Sequence, residues 1–494
     1  MERLLDSMAL AAILQRPGRR LSLVCCLLLL GLPASCLAQV SGRPNVILMM
    51  ADDQGWGETS YNGHPRLKTP NLDLMASKGL RLDRFYAAAP VCSPTRASVL
   101  TGRSNNRTGV ESHGFALRLQ EKTIAKAMKE AGYRTGHFGK WHLNGLRGPG
   151  VPVLASDDHN PGVFGFQEWL SVTNFFDRDP ILGRKGKFEE FRGDSSEVVV
   201  AEALKFVEGC VTQEEPFFTV IWFGTPHSPF HASEEDFKPF EDLDENSKHH
   251  YGELVAMDRS VGTLRNRLLE LGVSENTLFW YCSDNGGLAG ITPTTVKNLR
   301  GNKGTIYEGG LRVPCVIEWP AMIKPRISSE PAVAMDIFPT LVEACGLSKK
   351  SMLQPQDGIS LMELFKGGSA SRKQVIPFNC FGETAIVDGQ YKLLHVGKGK
   401  RRKDLHFELY DLEADPTEST NLLDEMPEIA SRMKNKMDDW LFSLKRSIDG
   451  KDYPERKVNP GEPEPQFWNQ TESYAPYFED WRDRPEYKRW LKDK

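Results

Sequence analysis

The run Cys92-Ser-Pro-Thr-Arg96-Ala-Ser-Val-Leu-Thr-Gly102 places a cysteine beside a helix start, with an arginine one turn further in. Ser93 suits an N-cap, Pro94 the first helical position and Gly102 the stop, which predicts a short helix with Cys92 just outside it. Backbone N–H groups and the helix dipole favour an anion at that end. Arg96, four positions on, projects from the same face and can fork onto the same anion. A buried structural cysteine is the commoner use of a lone cysteine. The spacing with Arg96 points instead to a reactive centre built for a tetrahedral oxyanion.

Oxygen ligands gather elsewhere. Asp52-Asp53 follow the apolar run Asn45–Ala51, and Asp284-Asn285 follow Thr277–Ser283. Adjacent aspartates alone are usually a turn or a helix cap. Two such clusters at the ends of buried strands differ, because three gathered carboxylates repel unless a cation sits among them. Their hard oxygens suit Ca2+ or Mg2+ and not zinc. Lys140 and His142, two apart, would point to one side of an extended backbone, giving fixed charge and a proton carrier near neutral pH. His227, in Thr-Pro-His-Ser-Pro229, follows the apolar run Pro216–Phe223; taken alone it is more often a satisfied structural histidine. Lys303 lies in Gly301-Asn-Lys-Gly304, where the glycines suggest a phosphate loop but the spacing rejects it.

The elements that must position these groups alternate. The apolar runs Asn45–Ala51, Pro216–Phe223 and Thr277–Ser283 lack period-2 alternation and read as strands buried on both faces. Helical stretches such as Lys122–Ala131, ended by Gly132, lie between them. This predicts an α/β fold with a large, mostly parallel sheet covered on both sides, and ligands beyond the carboxyl ends of its strands. After about residue 375 the pattern changes. Phe381–Val396 reads as a hairpin turning at Asp388-Gly389, His406–Leu412 as a further strand, and Met426–Leu444 as a helix. The expected division is therefore 39–375 for the main domain and 376–494 for a small antiparallel sheet with a helix on it, plus a tail.

The chain has 494 residues, 40% hydrophobic and 26% charged, which suits a globular protein with a large core. A net charge of −4 argues against bulk attraction to nucleic acid. Arg16, Arg19 and Arg20 precede the apolar run Leu21–Leu32 and then Cys36-Leu37-Ala38, so residues 1–38 read as a cleaved secretory signal peptide. The expected destination is the periplasm or exterior in a bacterium, or the lysosome or exterior in an animal. Beyond the leader and Cys92, Cys210, Cys282, Cys315, Cys345 and Cys380 define no disulfide framework. Glycosylation sequons occur at Asn106 and Asn469.

The Cys92 run resembles, position for position, the C-x-P-x-R-x-x-x-L-T-G signature of the type I sulfatases, members of the alkaline phosphatase superfamily. Gly132-Tyr-Arg-Thr-Gly-His-Phe-Gly-Lys140-Trp-His142 resembles the family's second signature. Asp336-Ile-Phe-Pro-Thr, Asp357-Gly-Ile-Ser-Leu and Leu409-Tyr-Asp-Leu-Glu-Ala-Asp-Pro are similar to family segments, extending the likeness over roughly Arg43 to Leu423. The resemblance implies an alkaline-phosphatase-like αβα sandwich and a sulfuric ester hydrolase acting on an aryl or carbohydrate sulfate. It implies that a formylglycine-generating enzyme converts Cys92 to formylglycine (3-oxoalanine). It also implies one Ca2+ held by Asp52, Asp53, Asp284 and Asn285, in contact with residue 92. In the implied mechanism one hydroxyl of the aldehyde hydrate attacks sulfur, while Arg96, Lys140 and Lys303 stabilise the sulfate oxygens. His227 protonates the leaving oxygen and His142 takes the proton that lets sulfate depart.

Two other readings remain open at this stage: a phosphonate monoester or phosphodiester hydrolase of the same superfamily, and a non-catalytic protein that binds sulfated glycans. The loops Asn144–Phe166 and Gly287–Arg300 should rim the strand ends and choose the substrate. The basic run Lys398–Lys403 reads foremost as a solvated hairpin tip, with a subsite for a polyanionic glycan as the alternative. The tail after Asp449 carries no assignable chemistry, and the oligomeric state is not encoded in any legible motif.

Overall fold

A computed structural model describes residues 42–399, 402–492 and 494. The expected signal peptide lies outside the described residues. A sheet of ten strands forms the middle of the molecule. Its centre is built from Thr277–Ser283, Asn45–Ala51, Phe217–Trp222, Arg134–Lys140 and Glu168–Val172, adjacent in that order and all parallel. Antiparallel pairs flank this centre, through Cys315–Glu318 on one side and Ile181–Arg184 on the other.

The sheet is covered on both faces because its strands are apolar on both. Val46, Leu48 and Met50 pack with Ala97, Val99 and Leu100 of the Cys92–Thr101 helix and with Ile337, Phe338 and Leu341 of the Ile337–Ala344 helix. Ile47, Met49 and Ala51 face the opposite layer, where Val199 and Val207 of helix Ser195–Thr212 meet Leu254, Met257 and Val261 of helix Glu245–Glu270. Each Val, Leu, Ile, Phe or Met among these contributes about 1.5–3 kcal/mol relative to exposure, which explains the unbroken apolar runs.

The C-terminal sheet is antiparallel, ordered Ile376–Cys380, Glu383–Asp388, Tyr391–Lys398 and Lys403–Asp411. The hairpin turn at Asp388-Gly389 is as expected, with Asp388 opposite Tyr391. Helix Pro427–Ile448 lays Ala430, Met433 and Met437 on Ile386, Leu393 and Leu409. Buried Lys392 ties this sheet to the short helix Glu308–Leu311, its ammonium 2.9 Å from both Glu308 and Glu418.

The tail has a structural job that its composition concealed. Gln466–Phe467 pairs in parallel with Leu146–Arg147, and Trp468, Tyr474, Trp481, Tyr487 and Leu491 are buried against Leu146, Val151 and Leu154. The Tyr474 hydroxyl donates to the Pro152 carbonyl at 2.9 Å and that of Tyr487 to Gly150 at 2.6 Å. Tyr474→Phe leaves a buried carbonyl without its donor and is expected to cost about 1–2 kcal/mol in urea unfolding. An unchanged midpoint would show that the tail does not brace this loop.

All six described cysteines are buried and free. Asn106 is also buried, so its sequon is closed in the folded chain, and the Asn469 amide donates to the Trp490 carbonyl at 2.8 Å. No described helix is long and apolar enough to cross a membrane.

Buried His64 accepts the Leu67 N–H on Nδ1 at 2.7 Å, while Nε2 faces the Thr294 carbonyl at 3.2 Å, a pattern that requires the neutral ring. Burial pulls its pKa down to about 4. Between that value and the unfolded one only the unfolded chain takes the proton. Its contribution is therefore complete above about pH 6.5 and declines by up to about 1.4 kcal/mol per unit as pH falls toward 4. Urea midpoints at about pH 7.5 and about pH 4.5 should differ less in His64→Gln than in the unsubstituted protein. Equal differences would refute this.

Candidate active site

The candidate residues converge at the carboxyl ends of neighbouring parallel strands. Asp52 and Asp53 follow Asn45–Ala51, Asp284 and Asn285 follow Thr277–Ser283, Lys140 ends Arg134–Lys140, and His227 follows Phe217–Trp222 through a short loop. Parallel strands end on the same edge, so residues far apart in sequence meet there. The helix carrying Cys92 and Arg96 supplies the next wall, and Lys303 reaches in from the loop after Asn285. Gly286 permits that approach: a Cβ there would meet the Gly309 carbonyl oxygen at 2.0 Å. The Lys303 N–H then donates to the Gly287 carbonyl at 2.9 Å.

The helix begins one residue earlier than expected. Cys92 is its first residue and Val91 its N-cap, while Gly102 ends it in the left-handed conformation at φ 70°. Ser93 does not cap because its hydroxyl accepts the Gly114 N–H at 2.8 Å. Pro94 is still tolerated, since the first helical turn needs no N–H from it. The extended geometry expected for Lys140 and His142 also fails. The strand stops at Lys140 and His142 has φ 55°, so strand alternation does not orient it.

Each carboxylate has one close cationic partner, and Arg96 also lies 3.7 Å from Asp52. Arg96 binds Asp284 at 2.6 Å, Lys140 binds Asp52 at 2.7 Å, and Lys303 reaches Asp53 at 2.7 Å. Burial alone would raise the Asp52 carboxyl, but Lys140 and His227 hold it below the usual range. Lys303 and His227 do the same for Asp53 against its burial. Asp284 instead is pushed up by burial and by Asp52. Cys92 Sγ lies 3.4 Å from Asp52 Oδ1 and 3.6 Å from Lys303 Nζ. Burial first, then the Asp284 carboxylate, push the Cys92 thiol up, so the side chain stands as a thiol and not a thiolate.

Ligand atoms of Asp52, Asp53, Cys92 and Asp284 lie within 4.8 Å of one another, a possible acidic metal site. Because three basic side chains already balance three carboxylates, charge alone does not demand a metal. The donor set is the better test, and it fits a hard cation. The Asn285 amide donates to Asp53 at 2.8 Å, which leaves its Oδ1 buried with no partner beside the carboxylate oxygens. With a divalent cation the site would be net positive, which suits an anionic substrate.

The two histidines differ. His227 Nδ1 lies 2.6 Å from the Ser228 carbonyl and so carries its proton there, leaving Nε2 3.8 Å from Asp53. Burial and then Lys303 lower its pKa, opposed by Asp53 and Asp52. His142 is buried with neither ring nitrogen partnered, and burial, Lys140 and Arg96 hold it well below its ordinary pKa.

Sequence reasoning missed several supporting residues. Phe175 stacks on His227 with ring centres 4.5 Å apart. Glu58 accepts the Gly55 N–H at 2.7 Å and pairs with buried His250, bracing the loop that leaves Asp53 at φ 76°. Glu58 and His250 lie far apart in sequence and share no motif, so only their common burial reveals them.

A nucleophile-sized side chain among hard oxygen ligands, basic side chains and two histidines, at the strand ends of a doubly covered sheet, defines an anion-ester hydrolase. The Sulfatase family model matches residues 44–347, and the model described as N-sulphoglucosamine sulphohydrolase, C-terminal, matches residues 301–443. N-acetylgalactosamine-6-sulfatase of Canis lupus familiaris is 31% identical over 387 residues, covering 71% of each chain. Arylsulfatase A of Homo sapiens is 29% identical over 489 residues, covering 83% of this chain and 89% of the relative. The solved structure of Ps i-CgsB with k-i-k-neocarrahexaose superposes at a TM-score of 0.72 with 25% identity, over 91% of this chain and 100% of that one. The chain belongs to the sulfatase family. Its fold is the alkaline-phosphatase-like α/β architecture, and the protein is a sulfuric ester hydrolase.

Proposed function

We propose that this sulfatase is secreted, works with formylglycine made from Cys92 and with one Ca2+, and acts on a carbohydrate or aryl sulfate. The observation that carries the reading is the surroundings of Cys92, whose Sγ lies 3.4 Å from Asp52 Oδ1 and 3.6 Å from Lys303 Nζ, with the ligand atoms of Asp53 and Asp284 in the same buried cluster. Asp52, Asp53, Asp284 and Asn285 would hold the ion. Bound there, Ca2+ would acidify a hydroxyl on residue 92 and share the sulfate's negative charge. As the aldehyde hydrate, residue 92 would offer one hydroxyl to attack sulfur and a second through which sulfate leaves.

The chain's own groups do the rest. Arg96 and Lys140 are buried and Lys303 nearly so, and fixed charges shielded from water stabilise sulfate oxygens strongly. His227 Nε2, 3.8 Å from Asp53, supplies the proton to the leaving oxygen; the arriving anion offsets Lys303 and makes that protonation easier. His142, held neutral, accepts the proton that accompanies sulfate release. Phe175 keeps the His227 ring flat against it and limits water. Aryl sulfate turnover, set beside turnover of a phosphate diester, tests the sulfatase assignment against the related hydrolases. Peptide mass spectrometry of residue 92 in the active protein tests the nucleophile. An aldehyde is the expected finding, and a free thiol in fully active protein would refute the formylglycine reading.

A further inference from the structure

Arg147 is an arginine without a partner. It is half-buried, its side chain makes no hydrogen bond and has no carboxylate within ion-pair distance among the described residues, and its Nε is enclosed with no acceptor. A guanidinium left this way normally forfeits the acceptors that water or a carboxylate would give it. Its guanidinium lies 5.9 Å over the Phe115 ring, a contact that holds the plane but satisfies no N–H.

Its position is close to the reacting centre. The Arg147 side chain lies against Gly114, where an added Cβ would meet its Cγ at 2.5 Å and its Nε at 3.0 Å. Gly114 in turn donates its N–H to Ser93, the neighbour of Cys92. One loop backbone therefore separates Arg147 from residue 92. His113, on the same loop, stands where partial burial and then Arg147, Lys303 and Lys140 all disfavour its protonation, so the rim is positive on this side. The segment is held from behind: Phe467 of the tail pairs with Arg147, and the Asn174 amide donates to the Gly148 carbonyl at 2.7 Å. An arginine fixed by a dedicated strand pairing, yet denied any acceptor among the described residues, is set to receive one from outside.

We propose that Arg147 is a specificity-determining residue whose guanidinium receives a second anionic group on the substrate, beside the sulfate that is cleaved at residue 92. The substrate class is then a sugar sulfate carrying a further carboxylate or sulfate, either of which matches the guanidinium fork. This rests on the sulfatase assignment and narrows it.

The test compares kcat/KM for 4-nitrophenyl sulfate, a monosulfated neutral hexose, the same hexose with a second sulfate, and a sulfated hexuronic acid. The unsubstituted enzyme should prefer at least one doubly anionic sugar over the neutral hexose monosulfate. Arg147→Ala should reduce that preference about 10- to 100-fold, mostly through KM, and Arg147→Lys should restore only part of it. Whichever doubly anionic sugar shows the loss identifies the group bound, carboxylate or sulfate. An equal loss on every substrate in Arg147→Ala, or no preference in the unsubstituted enzyme while the aryl sulfate turns over, would overturn the subsite and leave the sulfatase assignment standing. Failure to turn over any sulfate ester would overturn both.

Discussion

Replacing Cys92 with serine is expected to lower steady-state turnover of an aryl sulfate by at least about 10⁴-fold, as removal of a nucleophile does elsewhere. The fold should tolerate it. The side chain is small, lies 3.4 Å from Asp52 Oδ1, and a hydroxyl can donate to that carboxylate at least as well as the thiol. Stability should therefore change by about 1 kcal/mol or less. A serine can offer one oxygen to sulfur but no second oxygen through which to release it. The variant should accordingly retain one sulfate per chain after exposure to substrate, visible as added mass on the peptide bearing residue 92. Repeated turnover by the serine variant, at a rate near that of the parent, would show that release does not need the aldehyde. A collapsed near-ultraviolet dichroism spectrum would instead trace the loss to folding.

Asp284→Ala should strike both stability and activity. Asp284 and Arg96 are both fully buried, and their 2.6 Å contact is the main compensation for the guanidinium. Deleting the carboxylate strands that charge, which costs about 3–5 kcal/mol for a buried pair. It also removes an oxygen from the candidate metal site, so Ca2+ affinity and activity should fall together. Asp284→Asn keeps the shape and an acceptor oxygen, and should recover part of the stability without the activity. Urea unfolding with and without Ca2+, read beside calorimetric Ca2+ titration, separates the two effects. An Asp284→Ala variant that unfolds at the original midpoint would deny the ion pair its role, and undiminished Ca2+ binding by Asp284→Asn would remove its charge from the ligand set.

Both expectations concern residues whose neighbourhood was visible in the chain before any fold was known. Cys92 and Arg96 sit in one motif, and Asp52, Asp53, Asp284 and Asn285 each end an apolar run. The strands Asn45–Ala51 and Thr277–Ser283 have the bounds their apolar runs suggest, because burial on both faces leaves no polar residue inside them. Errors arose where a distant partner intervened. Ser93 looked like a cap until Gly114 claimed its hydroxyl, and His142 looked extended until the chain turned at φ 55°. The basic run does form the tip of a hairpin, with Lys398 opposite Lys403 and both exposed, while Arg402 in that segment donates to the Gly304 carbonyl at 2.6 Å, next to Lys303. Its neighbours 400 and 401 lie outside the described residues.

What the sequence alone determined was the chemistry on offer: a cysteine at a helix start, hard oxygen ligands, basic side chains and two histidines, each tied to a local pattern of spacing or apolar periodicity. Such patterns are local because backbone geometry is local. The tertiary structure decided which charge neutralises which, that Cys92 is buried between Asp52 and Lys303, and that Arg147 is pinned by a tail from the far end of the chain with no acceptor of its own among the described residues. Those outcomes depend on distances between residues hundreds apart and on the exclusion of water between them, and neither is written in the order of the residues.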